Sequence, residues 1–216
     1  MKRLATPRRR ATVRAAPDPA RSVFINCPFD PEYRPLFDAI VFATVSCKYV
    51  PRSALETGTV SDPRMDRIYD ALSSSKYSIH DFSRCKGEGD NNLARFNMPL
   101  EFGIAFGKGY LKYNGRRLHD WLVLMPQGHF YKQCVSDLGA YDLLTHENTV
   151  RSVVQAVMSW LSTRADATVA VDPDKVMAKM KAFQVELEML RTKWNETNVR
   201  WSDMVEAARA FAPRFS

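Results

Sequence analysis

Short β-type runs alternate with helical stretches from residue 22 to residue 164, and this alternation constrains the fold more than any other feature of the chain. Ser22–Asn26 is a β-type run that ends at the turn formers Pro28, Asp30 and Pro31. Residues 33–46 have helical spacing, with Leu36, Phe37, Ile40, Val41 and Thr44 on one face. A second strand falls within 48–55, shortened by Pro51. A second helix covers 63–74, with Met65, Ile68 and Leu72 in one stripe. Strands at 76–82 and 121–125 follow, then a short fifth strand within 136–145 and a helix over 148–164. Strands alternating with helices predict a mainly parallel sheet covered on both faces. The expected class is therefore α/β, a flavodoxin-like, doubly wound arrangement. Its ligands would bind beyond the carboxyl ends of the strands, where strand order reverses.

The segment from Phe96 to Gly107 reads as a loop entering a helix that opens at Pro99 and carries Glu101 in its first turn. Gly103 and Gly107 lower helix propensity, so their presence suggests a close approach to the sheet. A carboxylate so placed is expected to stay ionised through the helix dipole. An anionic Glu at a sheet-edge crevice could stabilise an oxocarbenium ion or act as a nucleophile. The plainer alternative is a solvated Glu that only complements the dipole.

Composition excludes several classes. With 45% hydrophobic and 25% charged residues, the 216-residue chain matches an ordinary globular protein. Its longest apolar stretch, residues 39–45, is interrupted by Thr44 and falls far short of the roughly 20 residues that span a bilayer. The basic N-terminus lacks an apolar secretory core. Cys27, Cys47, Cys85 and Cys134 form no C-x-x-C pair, and His80, His119, His129 and His146 are not spaced as a metal cluster. Reduced thiols, a cytoplasmic location and no metal or bound cofactor are expected. Residues 1–21 read as a disordered basic tail, whose first twenty residues carry a net +5 of the chain's +7. Nucleic acid is a possible partner through that tail alone, because the body lacks a stacking platform.

The last segment, 172–211, contains no Gly. Val176, Met180, Phe183, Leu187, Leu190, Trp194, Thr197, Trp201, Met204 and Ala208 step by four and three residues. This heptad seam predicts a continuous coiled-coil-type helix of roughly 58 Å. Such a helix would make a homo-oligomer, or recruit a helical partner protein, through 176–208. Truncation near Ala170 would then leave a soluble monomer. The competing expectation is a helix folded back on the body and broken near Asn195 to Asn198.

The sheet-edge rule gathers four groups of polar residues. Asn26, Cys27 and Asp30 follow the first strand, Arg52 and Glu56 the second, and His80, Asp81 and Ser83 the third. Arg95, Asn97 and Glu101 enter the next helix. Carboxylates, amides and a guanidinium at one crevice suit a ribosyl or nucleotide ligand. Asp81 could hold a ribose hydroxyl, and Arg52 or Arg95 a phosphate. Each has a structural alternative: Asp81 and Ser83 as turn caps, Arg52 in a surface ion pair, and Asn97 as a helix cap. His80 is read as a packed, hydrogen-bonded histidine and Cys27 as a small buried residue. No Gly-rich phosphate loop follows the first strand.

Four blocks carry a resemblance: Phe24-Ile25-Asn26-Cys27-Pro28-Phe29-Asp30, Tyr49-Val50-Pro51-Arg52, Tyr77-Ser78-Ile79-His80-Asp81, and the run from Arg95 to Gly103. Together they resemble a bacterial family of TIR-like proteins, distantly similar to nucleoside 2-deoxyribosyltransferases, over residues 22–165. The resemblance implies a flavodoxin-like sheet and cleavage of an N-glycosidic bond by one essential Glu. Glu101 matches that Glu, and Asp81 matches an acidic residue at the third strand's end. It further implies NAD or a related nucleotide as substrate, with Asn26, Asp30, Arg52, Ser83, Arg95 and Asn97 as binding residues. A role in antiphage defence, switched by oligomerisation, would follow. A non-catalytic nucleotide-sensing or scaffold module is the alternative.

Overall fold

The computed structural model describes residues 17–56, 63–84, 96–128, 136–170, 172–194 and 199–214. Its strands are β1 (Ser22–Asn26), β2 (Val50–Arg52), β3 (Tyr77–Asp81), a small hairpin of β4 (Lys112–Tyr113) and β5 (Arg116–Arg117), β6 (Asp120–Pro126) and β7 (Leu144–His146). Five strands form one all-parallel sheet in the order β2-β1-β3-β6-β7. Counting only those five, the order is 2-1-3-4-5, which flavodoxin-type doubly wound sheets share. The helices are α1 (Arg34–Ser46), α2 (Arg64–Ser73), α3 (Asn97–Tyr110), α4 (Val150–Ser162), α5 (Pro173–Trp194) and α6 (Trp201–Phe211). The β4–β5 hairpin, absent from the sequence expectations, turns at Asn114 and Gly115. Both have positive φ (49° and 76°), as a two-residue Asn-Gly hairpin turn requires.

Period-two alternation divides the core. Val23, Ile25, Tyr77, Ile79, Leu122 and Leu124 pack with α1 and α4 on one face of the sheet. Phe24 meets Ile68, Leu72 and Ala105 on the other, while Val123 and Met125 meet Met98 and Phe102. In α2 the buried stripe is Ile68, Ala71 and Leu72. Met65, expected in it, is 41% exposed because Ala71 takes the sheet-facing position.

Helix α1 is buried all round: eleven of its thirteen residues are inaccessible. A helix apolar on every side needs cover on every side. The sheet and α4 cover one side, and α5 with α6 cover the other. The heptad seam is thus consumed within the chain. Val176, Met180, Phe183 and Leu187 are buried against α1, and the Phe183 ring stacks on Phe42 at 4.7 Å. Trp201 stacks on Phe37 at 6.2 Å. The single long helix is corrected accordingly: the run is two helices, α5 and α6, the second starting at Trp201. Thr197, the one polar seam position, lies outside the described residues, as does the basic tail through residue 16. Buried Asp38 of α1 pairs with Arg191 of α5 at 3.4 Å, a further tie between body and cover.

One expectation about α3 is also corrected. Gly103 and Gly107 are exposed, and a Cβ at either would meet nothing among the described residues within 4 Å. Sheet contact is made instead by Ala105 and by Gly109, where a Cβ would lie 3.2 Å from Trp121 Nε1. The two exposed glycines each cost the helix about 1 kcal/mol relative to Ala, and no contact among the described residues offsets that cost.

Because α5 is a lid on α1, truncation at Ala170 should expose Phe42 and its neighbours and give aggregated protein, not the soluble monomer expected above. In urea unfolding, Phe183→Ala should cost about 3–5 kcal/mol, whereas Val185→Ala, at a position 51% exposed on the outer face of α5, should stay within about 0.5 kcal/mol.

Candidate functional site

The carboxyl edge of the sheet gathers the ends of β1, β3 and β7 and the start of α3. At its centre Asp81, with no exposed surface, accepts the Ser83 backbone N–H at 2.7 Å and the His146 Nε2–H at 3.0 Å. His146 Nδ1 accepts from the Asn148 N–H at 3.1 Å, which leaves the ring proton on Nε2. Ser83 Oγ lies 3.4 Å from that same Nε2. Serine and aspartate therefore share one ring nitrogen, so His146 cannot relay a proton from one to the other. This trio is an anchor for the third-strand loop, not a hydrolytic triad.

Cys27 is the point on which the acidic groups converge. Burial pushes its thiol well above the usual range, and Asp81, Glu101, Asp38 and Asp30 add to that push. Such a thiol is inert, in line with its reading as a small buried residue. Tyr33, wholly buried, has its phenol pushed well above 10 by burial and by the neighbouring Asp81 carboxylate.

Glu101 differs from the other carboxylates. It is the fifth residue of α3, in the second turn and not the first, and only 4% exposed. Burial pushes its carboxyl up to about 7, opposed by the Arg64 guanidinium at 3.7 Å. The expectation of a permanently ionised Glu is thus corrected: burial outweighs the helix dipole once the group leaves the first turn. A half-exposed Arg64 is a weak counter-charge, and Glu101 changes ionisation near neutrality.

The remaining sequence candidates are distributed as follows. Arg52 is gripped by Glu56, Nε to both carboxylate oxygens at 2.8 and 2.7 Å, with Ser74 Oγ at 3.3 Å from its Nη1. Asp30 is paired with Arg84 at 2.9 and 3.1 Å, which ties the loop after β1 to the loop after β3. Asn97 is exposed at the first residue of α3. Arg95 lies outside the described residues.

Asn26 belongs to a buried chain of hydrogen bonds along the α2/α3 face of the sheet. Its side-chain amide donates to Met98 O at 3.2 Å and to His80 Nδ1 at 3.0 Å. His80 Nε2–H then donates to Ser78 Oγ at 2.8 Å, the Ser78 hydroxyl to His119 Nε2 at 2.8 Å, and His119 Nδ1–H to Ser75 O at 3.0 Å. Each proton has one assignment, and both rings are neutral. Burial lowers His80 far below 6.5 and His119 to about 4, the latter helped by the Lys108 charge. Lys108 itself caps the end of α2, donating to the carbonyls of Leu72, Ser73 and Ser75. The chain fixes Asn26 and the start of α3, and hence Glu101, relative to β3.

Sequence reasoning passed over Arg64, Tyr33 and His146. The strand-end rule that selected Asp81 would have selected His146 had it been extended to the last strand. Arg64 and Tyr33 reach the site only through tertiary packing and carry no local signal. Among the described residues no group of three or more His, Cys, Asp or Glu could hold a metal ion, and no helix is long and apolar enough to cross a membrane. No family model, curated protein or solved structure matches the chain.

Neutral buried histidines make stability pH-dependent. For His119 the folded value of about 4 lies below the unfolded value of 6.5. Its contribution is therefore complete above pH 6.5 and lost as pH falls toward 4, by roughly 3 kcal/mol. Urea titrations at pH 7, 5.5 and 4.5 should show this loss. His119→Gln should flatten the slope.

Proposed function

We propose that this protein is an N-glycosidase or ribosyltransferase of the TIR-like type, acting on NAD or a related nucleotide with Glu101 as the reacting carboxylate. The observation that carries the proposal is Glu101 itself: a buried carboxyl at the sheet's ligand-binding edge, poised near pH 7, with one cation beside it. The 2-1-3-4-5 strand order and the four sequence blocks support the same reading. A carboxylate so poised suits a cationic ribosyl transition state, because desolvation strengthens its field while the ground state gains little.

In the proposed step the C1′–N bond of the ribosyl group breaks and its electron pair leaves on the base. From NAD this yields neutral nicotinamide. Ionised Glu101 stabilises the oxocarbenium ion or captures it at C1′. Water or an acceptor hydroxyl then adds to C1′ and releases a proton. Asn97, exposed at the start of α3, would serve the ribose hydroxyls, and Asn26, its amide donating to His80 and Met98 O, would hold the start of α3 in place. Asp81 acts by holding the loop that carries Ser83. By the same resemblance, such an enzyme would serve as an antiphage defence effector activated by oligomerisation.

A second reading, a non-catalytic nucleotide sensor, is favoured by the internal pairing of Arg52 with Glu56 and of Arg84 with Asp30. A site whose cations are already paired is better suited to a weak, reversible signal than to gripping a substrate phosphate.

Purified protein incubated with NAD and common nucleosides should release free base, and Glu101→Gln should reduce that release by at least about 100-fold. Activity should rise with pH through a midpoint at about 7 and level off above it, because the ionised carboxylate is the working form. Since Arg64 lowers the Glu101 value, Arg64→Ala should move that limb to higher pH. No turnover at any pH, with thermal stabilisation by nucleotide, would replace the enzyme by the sensor.

A further inference from the structure

Arg64 is placed differently from Arg52 and Arg84 at the same edge of the sheet. Arg52 is held by Glu56 at 2.7 Å, and Arg84 by Asp30 and Glu32 at 2.9 and 3.1 Å. Both guanidiniums are spent on hydrogen-bonded pairs with carboxylates of their own chain. Arg64, the first residue of α2, brings Nη2 only to 3.7 Å from Glu101 Oε1, beyond hydrogen-bond distance. Its side chain is 54% exposed, whereas that of Glu101 is 6% exposed. The guanidinium therefore stands at the mouth of the crevice, between the buried carboxylate and solvent. Asp66, the nearest carboxylate along α2, is two residues on, and residues so spaced do not face each other on a helix.

We propose that Arg64 is the phosphate-binding residue of the Glu101 site, and that the ribosyl group cut there carries a 5′-phosphate. The inference rests on the ribosyl reading of Glu101 and narrows it: dinucleotides and nucleoside 5′-phosphates are the substrate class, and free nucleosides are poor substrates.

The covalent layout of such a ligand suits the two side chains. In a ribosyl 5′-phosphate, C1′ and the phosphate are linked through O4′, C4′, C5′ and O5′, a chain short enough for adjacent side chains to hold both ends. With C1′ against the Glu101 carboxylate, a guanidinium one contact away is in reach of the phosphate. Arg64 carries five N–H donors in a planar fork that matches two phosphate oxygens, and Glu101 accepts none of them at 3.7 Å. A half-exposed pair without a hydrogen bond contributes little, so turning toward a phosphate costs Arg64 little and gains charge-assisted hydrogen bonds. The pairing that makes Arg52 and Arg84 poor phosphate ligands does not extend to it.

Titration calorimetry of the full-length protein with ribose 5-phosphate and with ribose isolates binding, since neither sugar has an N-glycosidic bond to break. Ribose 5-phosphate should bind at least about tenfold more tightly than ribose. Arg64→Ala should bring the two affinities within about twofold without lowering the melting temperature, because a half-exposed side chain at a helix start contributes little to stability. Arg64→Lys should keep part of the preference, since the charge remains and the fork is lost. The Arg116→Ala, Arg117→Ala double variant, on the exposed hairpin, should keep all of it. A wild type without the preference, or a preference that survives Arg64→Ala, would overturn the proposal. So would its loss in the hairpin variant, which would move the anion there. Turnover separates this proposal from the reading it rests on. With NAD at about pH 9, well above the Glu101 value, Arg64→Ala should raise KM at least about tenfold. Base release with an unchanged KM would refute the role of Arg64 and leave the glycosidase standing. Arg64-dependent binding of ribose 5-phosphate by a protein that releases no base would refute the glycosidase and leave the phosphate site standing.

Discussion

Everything in this fold is arranged around the burial of α1. Its run from Leu36 to Ser46 is inaccessible on all sides, and a helix of that kind cannot be finished by a sheet that covers one face. The α5–α6 pair supplies the missing face through Val176, Met180, Phe183 and Leu187. Burying each of these side chains is worth roughly 1.5–3 kcal/mol, so the C-terminal helices are part of the core and not an appendage. Their position also sets the outside of the molecule. With the heptad seam turned inward, the large apolar side chains that α5 still exposes are Val185, Met189 and Trp194, and Leu100 and Tyr110 are exposed on α3.

On the opposite layer the governing constraint is desolvation. Polar groups there either find partners or change ionisation. Asp81 is satisfied by His146 and the Ser83 N–H, and the two buried histidines are satisfied by remaining neutral in a directional chain. Glu101 alone has a distant, half-exposed counter-charge, and its carboxyl moves up to about 7. The reactivity proposed for it follows from the incompleteness of its pairing: every neighbouring carboxylate with a complete set of partners has been made structural.

The strands and the helices of the sheet domain were legible because each is set by local periodicity and bounded by local turn formers. Tyr77–Asp81 and α1 are found within a residue or two of their expected bounds. The role of His80 was legible for the same reason, since period two places it with Ser78 inside the sheet. Glu101 was legible as a residue but not as a charge state. Its distance from the helix start, two residues further than expected, and its burial by surrounding elements decide the ionisation. Arg64, Tyr33 and His146 come from three separate segments, and nothing in their immediate neighbours marks them.

The amino-acid sequence by itself determined an α/β body with parallel strands, an apolar first helix and an amphipathic C-terminal run, because these depend on period and propensity along the chain. It left undecided what the amphipathic seam would meet, since a four-three spacing packs equally well on a second copy or on the chain's own α1. It also left open which side of α3 its glycines would face. Tertiary structure decided both. The side of α1 that the sheet and α4 leave uncovered is apolar, and folding back onto it gains the same burial without the entropy loss of bringing two chains together. With that seam used, the exposed large apolar side chains among the described residues include Leu100 and Tyr110 on the solvent face of α3.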